Sequence, residues 1–431
     1  MKDNDSQGYL ISKRYSYYVF LLLFLLYMFN YMDRMVVVSI FPFLHEDWGM
    51  SDTQCGLLVS AAYWAILIFS LPFSVLIDRW SRRKAIGIMA VLWSAATALC
   101  GITKNFTQLF MTRTVIGIGE AGFAPGGTAI ISAIFPEKKR AQIMGLWNAS
   151  IPLGSALGIA LGAIIAEHLG WRYAFWIVAI PGLITGLIFF KIRDYKTVDL
   201  SRTVVEGSSK EIHKKMKAID IMREFTGAPS LILTYFAFAG NLFVTTSLMS
   251  WLPTYFYRYE GVSMSKAGMM GGVVMILAIV GAPLGGFLAD RWYHTRVNAR
   301  LLFSSISSIL TALILFIAFM FFSGTFQYII LLFGGMAAVA FVPAAAAVTQ
   351  DVVHPGLRAI SYSLCVIVQH ILGSSIGPVF VGAVSDKYDI LTALTILPVF
   401  SLIAGILFFV GSRYYTRDLK KVERVAIHVE N

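Results

Sequence analysis

Twelve blocks of apolar residues, each about 20 to 28 long, constrain this chain more than any other feature, because ~20 such residues suffice for a helix to cross the hydrocarbon core of a bilayer. The blocks begin near residues 17, 53, 85, 107, 141, 173, 229, 265, 299, 326, 359 and 389. A transmembrane β-barrel would show short alternating segments instead. The composition agrees. Hydrophobic residues make up 57% of the 431 positions and charged residues only 14%, with mean hydropathy +0.72. Soluble domains carry roughly 25% charged residues, so this chain lacks the polar surface to stay dissolved. The expected fold is an all-α membrane protein of 12 transmembrane helices.

A net charge of +11 raises the question of nucleic acid, and the placement of the basic residues answers it. Of 35 Lys and Arg, 28 fall in the termini and the even-numbered connections. Five fall in the odd-numbered ones, at Lys104, Arg172, Arg258, Lys266 and Lys387, and Arg34 and Arg113 lie inside spans. Basic loops stay cytoplasmic during insertion, so both termini are expected in the cytoplasm and no nucleic-acid partner is expected. The first block contains Asp-Arg and runs into HEDWGMSD, unlike a cleavable signal peptide. Cys55, Cys100 and Cys365 have no disulfide or metal spacing, and the sequon at Asn105 sits too close to the membrane to accept a glycan.

The apolar pattern stops between Arg193 and Ala228. The expected organisation is a cytoplasmic tail at 1–16, a six-helix bundle at 17–192, a cytoplasmic linker at 193–228, a second six-helix bundle at 229–412 and a tail at 413–431. A short amphipathic helix is expected around Ile212 to Phe225, in a linker whose main role is tethering. FSVLIDRW at 73–80 aligns with GGFLADRW at 285–292, and the same offset carries the first span onto the seventh. Such a repeat indicates a duplicated six-helix unit.

Charge inside a span costs at least about 2.5–3.5 kcal/mol on insertion scales, so the few buried ionisable groups are functional candidates. Tyr27, Asn30, Tyr31 and Arg34 share one face of the first span, while Asp33 points about 100° away. Arg113 and Glu120 lie two turns apart on one face of the fourth span. The first half thus buries two acids and two bases. They could simply pin the two helices together, although apolar packing would do so at lower cost. Transport uses the same set differently. A carboxyl binds a proton more or less readily as an Arg leaves or approaches it, which marks Asp33 and Glu120 for proton coupling. Arg34 and Arg113 can grip an anionic head group bidentately. The second half has no Asp, Glu, Lys or Arg at depth; its polar candidates are Asn241, Gln369 and His370. An uncharged half suits the body of an amphiphile or the hydroxyls of a sugar acid. Small-residue stripes at Gly154, Gly158 and Gly162 and at Gly373 and Gly377 permit either sliding or close packing.

Several stretches carry a resemblance: the D-R-x-x-R-R loop at Asp78, Arg79, Arg82 and Arg83, its second copy at Asp290 and Arg291, NYMDR at 30–34, RTVIGIGEAGFAP at 113–125 and GWRYAF at 170–175. Over nearly its whole length the chain resembles the major facilitator superfamily, and within it the spinster-like transporters. The anion:cation symporter family, with hexuronate and galactonate carriers, is the next resemblance. Ser74 stands where the superfamily's loop signature has Gly. The resemblance implies that Asp78, Arg79, Arg82, Arg83, Asp290 and Arg291 latch the halves in the outward-facing state. It also implies a monomer in a bacterial inner (plasma) membrane.

No ATP-binding, redox, zinc or Ser-His-Asp constellation is present, so no enzyme and no cofactor are expected. The expected function is proton-coupled transport of a small organic anion such as a sugar acid. The alternative is spinster-like export of lysophospholipid or another anionic amphiphile. A non-transporting scaffold fits least, since short loops offer little docking surface.

Overall fold

The structure, a computed structural model, describes residues 11–79, 81–193, 224–354 and 357–422, with only the backbone given at 71, 74–79, 137, 138, 141 and 359. Among the described residues twelve helices are long and apolar enough to cross a membrane. In the first half these are α1 (Lys13–Trp48), α2 (Asp52–Arg79), α3 (Arg82–Cys100), α4 (Phe106–Ile134), α5 (Gln142–Leu169) and α6 (Trp171–Phe189). The second half contributes α7 (Pro229–Arg258), α8 (Met264–Tyr293), α9 (Ala299–Phe321), α10 (Gly324–Asp351), α11 (Ile360–Lys387) and α12 (Ile390–Lys421). The all-α fold expected from the apolar blocks is the observed one. The linker helix expected around Ile212 to Phe225 lies outside the described residues up to 223.

Local chemistry sets where these helices start and stop. Ser81 and Asn105 cap α3 and α4 by accepting the amides of Lys84 and Gln108. At the other end of α1, Gly49 adopts φ +63°, and Gly261, its counterpart in the repeat, turns α7 into α8 at φ +66°. Only glycine takes that conformation without strain. The repeat therefore reaches down to backbone dihedrals.

Packing repeats as well. α1 lies on α5 as α7 lies on α11, α2 on α4 as α8 on α10, and α3 on α6 as α9 on α12. The halves meet where α2 packs on α11 and α5 on α8. Both seams lie at the end of the bundle that carries the odd-numbered connections: Gly56 abuts Pro378, and Gly268 abuts Ile159 and Ala163.

The glycine stripes serve close packing inside each half. A Cβ on Gly154 or Gly158 would collide with the carbonyls of Met28 or Met32, and one on Gly373 or Gly377 would come within 2.8 Å or 2.6 Å of those of Ala239 or Phe243. Helices in lipid associate through such backbone approach because apolar burial offers them little. Gly154→Ala is therefore expected to cost about 1–3 kcal/mol, the usual penalty of overpacking. Gly145→Ala, where a Cβ meets nothing within 4 Å, should be neutral or stabilising. Thermal melts of the two purified variants in one detergent check the contrast.

Candidate functional site

Span α1 is an α-helix through Met35, and its next five residues, Val36–Ile40, wind as a tighter 3₁₀ turn. Changing from i+4 to i+3 pairing disturbs the carbonyls at the junction. Asp33 and Arg34 sit there, and the structure sends them in different directions.

Arg34 meets Glu120. Its Nε and Nη2 donate to Glu120 Oε2 at 3.1 Å and 2.6 Å, and Nη2 also reaches Asn30 Oδ1 at 3.5 Å. Both side chains are nearly enclosed, Arg34 at 6% and Glu120 at 5% exposure. The guanidinium lies between two rings, with Tyr31 at 4.7 Å and Tyr63 at 5.2 Å from its carbon to the centroids. Cation–π contact and the ion pair together hold the cation in a largely apolar setting. Tyr27 extends the aromatic wall, stacking on Trp147 at 4.4 Å and meeting Tyr31 edge-on at 5.3 Å. The i, i+3, i+4, i+7 face expected from the sequence is thus a single continuous surface.

Asp33 lies elsewhere. It is 0% exposed, and neither carboxylate oxygen has a hydrogen-bond partner among the described residues. Its neighbourhood is formed by α3 and α6: a Cβ on Gly182 would stand 2.5 Å from Ser94 Oγ and 3.7 Å from Asp33 Oδ2. Ser94 Oγ is also buried and unpartnered. Arg113, 0% exposed, donates to three backbone carbonyls: Nε to Leu58 at 3.2 Å, Nη1 to Asp33 at 3.1 Å and Nη2 to Arg34 at 3.0 Å. The structure therefore joins Arg34 to Glu120 by their side chains, and joins Arg113 to the backbone that carries Asp33 and Arg34.

In the second half, His370 reaches this site. It opens a π-helical turn, His370–Ser374, within α11, and its ring stacks on Tyr63 at 5.6 Å. Its Nδ1 lies 3.3 Å from Ser374 Oγ. Glu120, Arg34, Tyr63 and His370 thus form a chain of contacts across the boundary between the halves. Gln369 donates to Cys365 Sγ at 3.1 Å on its own helix. Asn241 donates to Ser308 Oγ at 2.7 Å and ties α7 to α9.

The expected latch residues lie at the end of the bundle opposite the odd-numbered connections. The side chains of Asp78 and Arg79 are outside the described residues. Arg83 donates to the carbonyl of Ile192 at 2.8 Å, and Arg82 starts α3. Asp290 accepts from Arg300 at 2.9 Å, which also bonds Asp351 at 2.6 Å, so this network stays within the second half. Arg291 beside it is exposed.

Sequence reasoning passed over Tyr63, although it is the deep polar aromatic of α2. It also passed over Asp52 and Arg258, whose charges looked like ordinary loop residues. Asp52 accepts Arg258 Nη1 with both oxygens, at 2.9 Å and 2.7 Å, from the opposite half.

Two alike six-helix bundles with a charged, aromatic site at their boundary make a membrane transporter. A sequence model of the Major Facilitator Superfamily matches residues 23–378, and the chain belongs to that superfamily. It is similar to "Protein spinster homolog 1" of Xenopus tropicalis, 25% identical, covering 98% of this chain and 86% of that protein. It is also similar to the hexuronate transporter of Bacillus subtilis (strain 168), at 26% identity over 66% of this chain and 67% of that one. In fold it matches a crystal structure of a bacterial homolog of the human lysosomal transporter spinster in an inward-facing, occupied conformation, with TM-score 0.82, 23% identity, and coverage of 95% and 99%. The protein is accordingly a multi-pass integral membrane protein of a transporter family, with spinster-type and organic-acid-transporter relatives.

Proposed function

We propose that this protein is a proton-coupled secondary transporter of a small organic anion, a sugar acid or other carboxylate, working by alternating access. The observation that carries the reading is the state of Arg34. Two of its nitrogens are committed to Glu120, and the same guanidinium lies against Tyr63, whose ring stacks on His370 of the other half. An anion arriving there competes with Glu120 for the guanidinium, and a proton on Glu120 releases it. Asp33 is the second proton carrier: a proton supplies the neutrality that no hydrogen bond gives its carboxylate. Asn30, Tyr31 and Tyr27 line the head-group side of the site, and His370 and Gln369 the other half. Similarity to a hexuronate transporter supports an acid as substrate. The distribution of basic residues supports cytoplasmic termini. With that orientation the contacts of α2 with α11 and of α5 with α8 lie at the extracytoplasmic end.

A second reading follows from the aromatic wall of Tyr27, Phe123 and Trp147 and from the spinster-type relatives: an anionic amphiphile whose head group meets Arg34. Counterflow in proteoliposomes with a panel of sugar acids and lysolipids separates the two. Under the proton-coupled uptake reading an inwardly directed proton gradient, acid outside, drives accumulation. Asp33→Asn and Glu120→Gln are each expected to abolish that accumulation while leaving substrate exchange. Full gradient-driven uptake in both variants would remove the proton role.

A further inference from the structure

The end of the bundle where the halves close contains a matched pair of contacts that joins them through helix termini. The first four amides of any helix have no partner within it. At the start of α2, Ser51 Oγ accepts the amide of Gln54 at 3.2 Å, and Gln54 Oε1 returns a bond to the amide of Ser51 at 3.0 Å. This capping box leaves the amides of Asp52 and Thr53. Both are taken by one carboxylate from the other half: Asp386 of α11 accepts them at 2.7 Å and 2.8 Å, and the Thr53 hydroxyl at 2.6 Å.

The same arrangement recurs at α8. Ser263, which the repeat places opposite Ser51, accepts the amide of Lys266 at 3.3 Å. The amide of Ser265, the repeat counterpart of Thr53, is taken by Glu167 of α5 at 2.5 Å. α5 occupies in the first half the place of α11 in the second. Each half therefore lends one carboxylate to a helix of the other, and the repeat relates the two contacts. Around the first of them, Asp52 pairs with Arg258 and accepts the Ser385 hydroxyl at 2.6 Å.

We propose that Asp386 and Glu167 are positioning residues of the transport cycle: two reciprocal carboxylate caps that hold this end closed and must both be released for it to open. A carboxylate at a helix N-terminus gains from the hydrogen bonds and the helix dipole together, and water replaces both when the halves part. Sharing the task between two repeat-related contacts lets the end open about one axis, since neither seam acts as the hinge for the other. The proposal rests on the alternating-access reading.

The test is the distance between spin labels at Lys104 and Phe322, exposed positions in odd-numbered connections of the two halves, measured by electron–electron double resonance in lipid nanodiscs. Asp386→Ala and Glu167→Ala are each expected to raise the ratio of long to short distances by roughly tenfold, the scale of a lost helix cap, and the double variant more. Asp389→Ala is the matched control. It removes a cap of the same chemistry, Asp389 on the amide of Thr392, that lies within one half, and the ratio should not move. An unchanged ratio in the double variant, or an equal rise in Asp389→Ala, overturns the proposal. Glu167 is exposed, so its single variant keeps the test available should Asp386→Ala fail to fold, and an unchanged ratio there overturns the proposal as well. If no condition of substrate or pH produces a long distance in the unaltered protein, alternating access itself fails. If that protein does open and the variants match it, only the caps fail.

Discussion

Arg34→Ala is expected to lower the transport efficiency for an anionic substrate at least ~100-fold, equivalent to about 2.7 kcal/mol. The residue touches nearly everything the site offers: Glu120 through two nitrogens, Asn30 through one of them, and the rings of Tyr31 and Tyr63. Truncating one member of a buried charge pair typically costs about 2–5 kcal/mol, much of it from the charge left behind. Glu120 can escape that penalty by taking a proton. Arg34→Ala should therefore still fold while losing both substrate affinity and proton release. Arg34→Lys keeps the charge but not the fork that spans Glu120 and a second anion, and should recover little. Removing both partners separates the pair from the site. Arg34→Met with Glu120→Gln is expected to melt within a few degrees of the unaltered protein and to transport nothing. Initial-rate kinetics in proteoliposomes and thermal melts of the single and double variants check both statements. Near-normal uptake by Arg34→Ala would remove this residue from the substrate site.

Arg113→Ala should act first on stability. All three of its donated bonds end on carbonyls, two of them at the junction where α1 changes helical pitch. Their loss leaves buried acceptors, and the side chain leaves a hole beside Asp33. The expected cost is at least about 3 kcal/mol, from ~1 kcal/mol or more for each buried acceptor left unsatisfied. Arg113→Lys should restore little of it, because one ammonium cannot serve three carbonyls on two helices. Melting in detergent, read beside substrate affinity in whatever folded fraction remains, distinguishes this role from a direct grip on the substrate. An Arg113→Ala protein that melts normally but has lost affinity would return Arg113 to the head-group site that its sequence position suggests.

The two arginines show where reading the chain succeeds and where it stops. Both stood out because every other basic residue sat outside the apolar blocks. Helical spacing then placed Tyr27, Asn30, Tyr31 and Arg34 on one face, and the structure has them in mutual contact. The partners were not legible. Spacing along α4 puts Arg113 and Glu120 on one side of that helix and says nothing about which of them α1 will meet. Asp386 and Glu167 were less visible still. An acid at a loop end looks like surface, and only the repeat seen in three dimensions relates Glu167 to Asp386.

The sequence by itself determined what obeys a local period or a bulk solvent: twelve spans, their duplication and the scarcity of buried charge. Bilayer thickness and the cost of charge in hydrocarbon act on each segment separately, so the order of residues is enough to read them. Tertiary structure alone decided that Arg34 holds Glu120, that Arg113 holds carbonyls, that the Asp33 carboxylate has no hydrogen-bond partner among the described residues, and that each half caps a helix of the other. These depend on how helices rotate and tilt against one another. Glycine contacts such as Gly154 on Met28 and Gly56 on Pro378 set that rotation over distances no local pattern encodes.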